Sequence, residues 1–126
     1  MKKSINIKNA PAPVGPYSQA VIHNNVMYAS GQIAINPKTG ELINNDVKKE
    51  LIQILANIDS LLDAANLSRN QILKCSIFLK NMNNFDVVNE LYADYFEPPF
   101  PARETVEVAK LPKDVNIEIS FIASLD

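Results

Sequence analysis

The chain has 126 residues, 47% of them hydrophobic, and a formal net charge of −2 at pH 7. This length suits one domain with its own core, so we treat residues 1–126 as a single domain. One cysteine and one histidine exclude a disulfide framework and leave no set of ligands for a metal. The acidic balance argues against a nucleic-acid-binding surface, and no apolar run approaches the roughly 20 residues that cross a bilayer. We therefore expect a protein of the reducing cytosol that binds neither nucleic acid nor membrane.

The first third of the chain is predicted to contain strands and tight turns. Residues 20–22 and 26–29 read as two strands around Asn24 and Asn25, because asparagine tolerates the positive φ of a hairpin turn. A second turn is predicted where the chain reaches Gly40, which suits a left-handed position.

From Asp46 onward the hydrophobic period changes to that of a helix. Either Asp46 or Asn45 can cap this helix, which is expected to end near Asn66. Asn84 is the expected cap of a second helix, and Pro98 and Pro99 end it. Both helices carry an apolar stripe. The stripes are expected to cover one face of a sheet.

Two apolar strands are predicted on either side of the second helix. The strand over residues 72–79 is expected to place one set of side chains, Leu73, Cys75, Ile77 and Leu79, on one face and the other set, Ile72, Lys74, Ser76 and Phe78, on the opposite face. In the last strand, alternation puts Glu118 on the face opposite to the apolar residues. No third helix exists to cover the face that Glu118 shares with Phe78 and Ile122, so we expect another subunit there.

Arg103 and Glu118 stand in the last quarter of the chain, within a run that reads as two short strands. A tight turn predicted at residues 111–114 would bring the guanidinium and the carboxylate near each other on one sheet. A fixed guanidinium fork beside a base suits capture of a small carboxylate. The alternative is an ordinary ion pair of Arg103 with Glu118 or Glu107.

Four segments of the chain carry motifs that can be compared with those of known families. They are Gly15–Ser18, Ser30–Gln32, Asn36–Glu41 and Phe100–Ile119. Together they resemble the RidA (YjgF) family of enamine/imine deaminases, and the resemblance extends over essentially the whole chain. It implies an α+β fold with a mixed, mainly antiparallel sheet of about six strands and two helices on one face. It also implies that the other face packs at the core of a homotrimer, with ligand sites in the clefts between subunits.

The resemblance further implies a cofactor-independent enzyme that hydrolyses reactive 2-imino acids to 2-oxo acids and ammonia. Arg103 would clamp the substrate carboxylate, and Glu118 would direct a water molecule at the C2 carbon. The other positions that match the family's ligand cleft are Tyr17, Ser30, Gly31, Asn89 and Thr105.

Two of these residues also have plain structural interpretations. Tyr17 follows Gly15 and Pro16 and can present its phenol at a rim, but the residues alone favour a packing role, which is the more typical one for tyrosine. Asn89 lies within an apolar helix stripe, where its amide needs a partner. It can tie the helix to the sheet or reach the cleft.

The chain departs from many relatives at Thr105, where they carry cysteine, and at Glu104, where they carry a small residue. A threonine hydroxyl does not supply a thiolate, so a mechanism with a cysteine nucleophile is unsupported, whereas hydrolysis by activated water needs none. Cys75 itself is expected to be a small core residue.

Two other functions stay open from the sequence. The same pocket could bind or sense small carboxylic acids without turnover. Endoribonuclease activity or translation inhibition, known from some relatives, is weakly motivated because the chain is acidic and lacks a basic cluster with interleaved aromatic residues.

Overall fold

Six strands and two α-helices build the fold, which a computed structural model describes for residues 1–126. In chain order the elements are β1 (Lys3–Ile5), β2 (Ala20–His23), β3 (Val26–Gln32), α1 (Val47–Ala64), β4 (Ile72–Leu79), α2 (Phe85–Tyr95), β5 (Ala102–Glu107) and β6 (Ile117–Ser124). The sheet has the order β1-β2-β3-β6-β4-β5. Only β4 and β5 pair in parallel, and all other neighbours are antiparallel. The predicted α+β class and mainly antiparallel six-stranded sheet are confirmed.

Both predicted turns form through backbone with positive φ. Asn24 and Asn25 adopt φ of 51° and 63° between β2 and β3, and His23 pairs with Val26 across the hairpin. Gly40 has φ of 76° in the second turn. Asparagine and glycine reach this region at low cost, which is why these turns were predictable. Strand β3 runs three residues further than predicted, and β1 was not predicted.

The two helices begin differently. Asp46 caps α1 as predicted, because its carboxylate accepts hydrogen bonds from the N–H groups of Lys48 and Lys49 at 2.9 and 3.3 Å. Asn84 occupies the predicted N-cap position of α2, but its side chain makes no capping hydrogen bond. A short 3₁₀ turn precedes α2, and the side chain of Asn81 caps that turn by accepting from the N–H of Asn83 at 2.9 Å.

A buried carboxylate ties α1 to the start of β6. Glu50 is fully buried and accepts hydrogen bonds from N and Nδ2 of Asn116 at 2.9 and 2.7 Å, and from N of Ile117 at 3.0 Å. Hydrogen bonds to a charged group are stronger than neutral ones. This anchor therefore fixes the entry of β6 and the position of Glu118, its second residue.

The faces of β4 follow the predicted alternation except at its start. The pairing of β4 with β6 shifts register between Ile72 and Lys74. As a result Ile72 is 4% exposed and belongs to the core, while Leu73 is 50% exposed. The predicted faces of Ile72 and Leu73 are thus wrong, because a bulge re-aims the strand. Cys75 is buried among core residues, as predicted.

The face of the sheet opposite the helices carries apolar side chains that the chain itself does not cover. Tyr28 and Val106 are 46% and 40% exposed, and Phe78 and Ile122 are half-buried on the same face.

No helix of the protein is both long enough and apolar enough to span a membrane.

Candidate active site

Strands β5 and β6 do not form the predicted hairpin. β4 lies between them, pairing in parallel with β5 on one side and antiparallel with β6 on the other. Strand β5 carries three charged residues and has no buried position, which suits an edge strand. In β6 every second residue is buried, as in a central strand. The expected juxtaposition of Arg103 and Glu118 through a tight turn is therefore wrong.

Arg103 lies on the helix-covered face of the sheet. It pairs with the buried Cys75 in register, and its Cζ is 4.9 Å from the ring centroid of Tyr92 and 5.7 Å from that of Phe85. Arg103 takes part in none of the three salt bridges of the chain. Glu107, one of the two candidates for an ordinary ion pair, instead accepts a hydrogen bond from the backbone N–H of Met82 at 2.8 Å.

Two hydroxyl groups near Arg103 are buried without a hydrogen-bond partner. They are Oγ1 of Thr105, two residues along the same strand face, and the phenol of Tyr92. Unsatisfied buried polar atoms are rare, and they are found more often at functional sites than in an ordinary core. The thiol of the adjacent Cys75 has its pKa raised by burial to about 11, so it stays protonated at neutral pH.

Asn89 lies on the same stripe of α2 as these aromatic residues. It is four residues after Phe85 and three before Tyr92, spacings that align side chains on one helix face. The residue is half-buried. Asn89 therefore lies on the side of α2 that carries both rings under Arg103.

Glu118 lies on the other face of the sheet, in a groove of about 360 Å³. The groove is lined by Val14, Tyr17, Ser30, Gly31, Ile33, Pro112 and Glu118. Tyr17 is 48% exposed, so it stands at the rim and not in the core. Ser30 is held at the strand end because its Oγ donates to the carbonyl of Ser18 at 2.6 Å.

The carboxylate of Glu118 packs directly on the backbone of Gly31. A Cβ atom at Gly31 would lie 2.3 Å from Oε2 and 2.6 Å from Cδ of Glu118, closer than any real contact. Glycine is thus required for the observed position of the carboxylate. Burial raises the pKa of Glu118, since no cation lies beside it to favour the charged form.

The two groups of residues do not meet within one chain. Glu118 is level with Phe78 of β4, three residues along from Cys75, the partner of Arg103. The two residues are separated by two strand spacings across the sheet and by three residues along the strand direction. Their Cα atoms are therefore roughly 14 Å apart, and their side chains lie on opposite faces. We call Arg103, Asn89 and Thr105 the cationic half-site, and Tyr17, Ser30, Gly31 and Glu118 the acidic half-site.

Glu104, the departure next to Arg103, points away from the cationic half-site. Its carboxylate accepts a hydrogen bond from Oγ of Ser76 and lies 3.0 Å from Nζ of Lys74, both on β4. These contacts lower the pKa of Glu104. The carboxylate is therefore engaged on the face opposite the Arg103 guanidinium.

Sequence reasoning named the polar residues of both half-sites but missed the rings that support Arg103. Phe85 and Tyr92 occupy positions of the apolar stripe that the sequence predicts for the second helix, and Tyr92 is in the core. Their spacing of seven residues on one helix face was the only signal available. The molecule has no cluster of three or more residues suited to hold a metal ion.

The chain resembles known proteins over almost its full length. A family model described as endoribonuclease L-PSP matches residues 7–125. A RutC family protein of Pyrococcus horikoshii is 50% identical over 98% of both chains. The 2-iminobutanoate/2-iminopropanoate deaminase of Escherichia coli K12 is 47% identical, also over 98% of both chains.

Solved structures agree with the observed fold. A crystal structure of a Yersinia pestis protein of the conserved Rid family, whose function is unknown, has a TM-score of 0.95 at 51% identity, covering 98% of this chain and 99% of that one. The E. coli TdcF protein, crystallised with bound serine, has a TM-score of 0.91 at 38% identity and covers 97% of this chain and 98% of its own.

Proposed function

Because the chain belongs to the endoribonuclease L-PSP family, also called the YjgF/RidA family, we propose that it hydrolyses reactive 2-imino acids to 2-oxo acids and ammonia. Several relatives at 38–47% identity are named 2-iminobutanoate/2-iminopropanoate deaminase, which supports an enzymatic role. Other members carry only RutC or endoribonuclease names, so the family as a whole does not specify a substrate. The choice of 2-imino acids is therefore our proposal.

The observation that carries the proposal is a pair of unpaired opposite charges. The Arg103 guanidinium makes no salt bridge, and the half-buried Glu118 carboxylate has no cation beside it. A free guanidinium fork matches a carboxylate bidentately, and a buried carboxylate with a raised pKa suits a general base. A substrate that carries a carboxylate next to an electrophilic carbon uses both groups.

In the proposed reaction Arg103 binds the substrate carboxylate and leaves C2 of the iminium exposed to water. Glu118 takes a proton from the water molecule as its oxygen attacks C2, and the C=N double bond becomes a single bond. The protonated Glu118 then returns the proton to the amine nitrogen. The C–N bond breaks as the C2–OH group becomes C=O and gives its proton to the Glu118 carboxylate, and ammonia leaves the 2-oxo acid. Glu118 finally loses this second proton to the ammonia or to solvent. Thr105, Asn89 and Ser30 shape the cleft around the substrate.

The active site forms between neighbouring copies in a homotrimer. The two half-sites lie on opposite faces of one sheet, so a single small acid can touch both only if they come from different chains. The uncovered apolar face around Tyr28 and Val106 supports self-association. Sedimentation equilibrium should give a mass near three times the 14.0 kDa of one chain.

The pH dependence of the reaction tests the role of Glu118. Glu118 acts as a base only when it is deprotonated, and burial raises its pKa. We therefore expect kcat/KM to fall on acidification, and to do so at a higher pH than for an ordinary glutamate of pKa about 4.3. Glu118→Gln should lower kcat by roughly 10² to 10⁴ and remove this acidic limb.

The assay generates the imine from an amino acid in situ and follows ammonia or semicarbazone formation. Glu104→Gln is the matched control, because it neutralises an exposed carboxylate outside both half-sites. Equal pH profiles for wild type and Glu118→Gln would contradict the assignment. A wild type no faster than the uncatalysed reaction would refute the proposed function itself.

Gly31→Ala should displace the Glu118 carboxylate and lower kcat by about 10² or more, since positioned acid-base help is worth that much. The clash involves Oε2, Cδ and Cγ of the Glu118 side chain and no backbone atom, so the fold should persist and the melting temperature should fall only modestly. Gly15→Ala is the control, because its new Cβ would meet the Tyr17 ring at an ordinary 3.7 Å. An active Gly31→Ala variant would show that the position of the carboxylate does not matter.

A second function, binding of small carboxylic acids without turnover, is favoured by the serine bound to TdcF. Both functions predict binding of 2-oxobutyrate that depends on Arg103. Only hydrolysis predicts ammonia release above background from freshly generated imine. Calorimetric binding together with background rates would establish the non-catalytic function.

Endoribonuclease activity is supported only by names, those of the family description and of a Thermotoga maritima relative. A net charge of −2 offers little attraction to a phosphate backbone. RNA cleavage that disappears on Arg103→Ala would revive it.

The substrate chemistry and the single reduced thiol, buried at Cys75, fit a protein of the cytosol.

A further inference from the structure

Both arginines of the chain stack on a tyrosine of α2. The Cζ of Arg69 lies 3.9 Å from the ring centroid of Tyr95, and the Cζ of Arg103 lies 4.9 Å from that of Tyr92. These distances are within the range of a cation–π interaction. The same helix therefore supports two guanidinium groups, one inside the proposed site and one outside it.

The two arginines differ in what occupies the hydrogen-bonding edge of the guanidinium. Nε and Nη2 of Arg69 bind the two carboxylate oxygens of Asp59 at 3.0 and 2.8 Å. Arg103 has no such carboxylate partner. An aromatic ring holds the flat face of a guanidinium without using its N–H groups. At Arg103 the ring thus gives support and leaves the fork available.

Tyr92 is itself rigidly held. The residue is 6% exposed, belongs to the main core and packs against Phe96 with ring centroids 4.7 Å apart. Its hydroxyl is buried without a hydrogen-bond partner, and burial raises its pKa well above the usual value, so the phenol stays neutral. A neutral ring fixed in the core is a suitable platform for the Arg103 side chain.

We propose that Tyr92 is a positioning residue for Arg103. Its aromatic ring orients the guanidinium fork toward the substrate carboxylate, and the Tyr92 hydroxyl is not needed for this role. This inference rests on the proposed function in one respect, namely that the bound anion is the carboxylate of a 2-imino or 2-oxo acid. It concerns the binding of that carboxylate and not its turnover. The cost of a misplaced fork falls on binding, because the carboxylate is held in the ground state and in the transition state alike.

The test measures the Kd of 2-oxobutyrate by calorimetry for three variants, together with KM and kcat in the imine assay. Tyr92→Leu removes the ring and should raise Kd and KM by about 5- to 20-fold, with a smaller change in kcat. Tyr92→Phe keeps the ring and should rescue Kd to within about twofold of wild type. It also removes an unsatisfied buried hydroxyl, so its melting temperature should not fall.

Tyr95→Leu is the matched control, because it removes a buried ring of the same helix that stacks on Arg69. It should lower the melting temperature at least as much as Tyr92→Leu and leave Kd unchanged. An equal rise of Kd in both leucine variants would overturn the proposal, since it would reflect general loosening of α2. A Tyr92→Phe variant as weak as Tyr92→Leu would also overturn it. Failure of the proposed hydrolysis is distinguishable, because it appears as a wild type that binds 2-oxobutyrate without turnover.

Discussion

Arg103→Ala should lower kcat/KM for 2-iminobutanoate by roughly 10² to 10⁴-fold, because it removes two charged hydrogen bonds of about 1.5 to 3 kcal/mol each. Arg103 makes no salt bridge, so its removal leaves no carboxylate of the chain unpaired. The fold should therefore persist. Calorimetry with 2-oxobutyrate should show a parallel loss of affinity.

Arg69→Ala is the matched control for this experiment. It removes the only other arginine of the chain, which is paired with Asp59 and stacked on Tyr95. Its expected effect is a loss of stability with kcat/KM unchanged. Arg103→Lys keeps the charge but not the planar fork and should fall between wild type and Arg103→Ala. Undiminished turnover in Arg103→Ala would exclude the carboxylate clamp.

Local features of the fold were predictable because short-range chemistry decides them. The turn at Asn24 and Asn25 follows from the tolerance of asparagine for positive φ, and the start of α1 follows from the cap at Asp46. Alternation along β6 placed Glu118 on the face away from the helices. Each of these features depends on residues within a few positions of one another.

The order of the strands was not predictable in the same way. The tight connection at residues 111–114 favoured β5 and β6 as neighbours, yet β4 lies between them. Long-range burial decides this, because β4 and β6 each bury alternate residues while β5 carries exposed charges suited to an edge. The bulge that buries Ile72 and exposes Leu73 is likewise a product of pairing between distant strands.

The candidate site was predictable as a set of residues but not as an arrangement. A resemblance to a family identifies Arg103 and Glu118, but it does not say that one sheet holds them on opposite faces. That separation has a direct experimental consequence for the proposed function, in which another copy of the chain completes each half-site. The ring of Tyr92 was hidden for a different reason, because a core position and a support for Arg103 share the same helical spacing.

Two inactive variants should therefore restore activity when their chains are mixed. Arg103→Ala chains retain the acidic half-site, and Glu118→Gln chains retain the cationic half-site. When the two are unfolded and refolded together in equal amounts, random assembly places both intact half-sites at about a quarter of the subunit junctions in any closed ring. The mixture should reach about a quarter of wild-type activity. Each variant alone should stay near background.

The control replaces the Glu118→Gln chains by chains that carry both substitutions. Every junction then lacks the guanidinium of Arg103, so no activity should return although the chains exchange in the same way. Differently tagged chains recovered in one complex establish that mixing took place. If verified mixed complexes remain inactive, the two groups do not act together across a junction. Because one chain holds them roughly 14 Å apart on opposite faces, joint action on one small substrate would then have no structural route left.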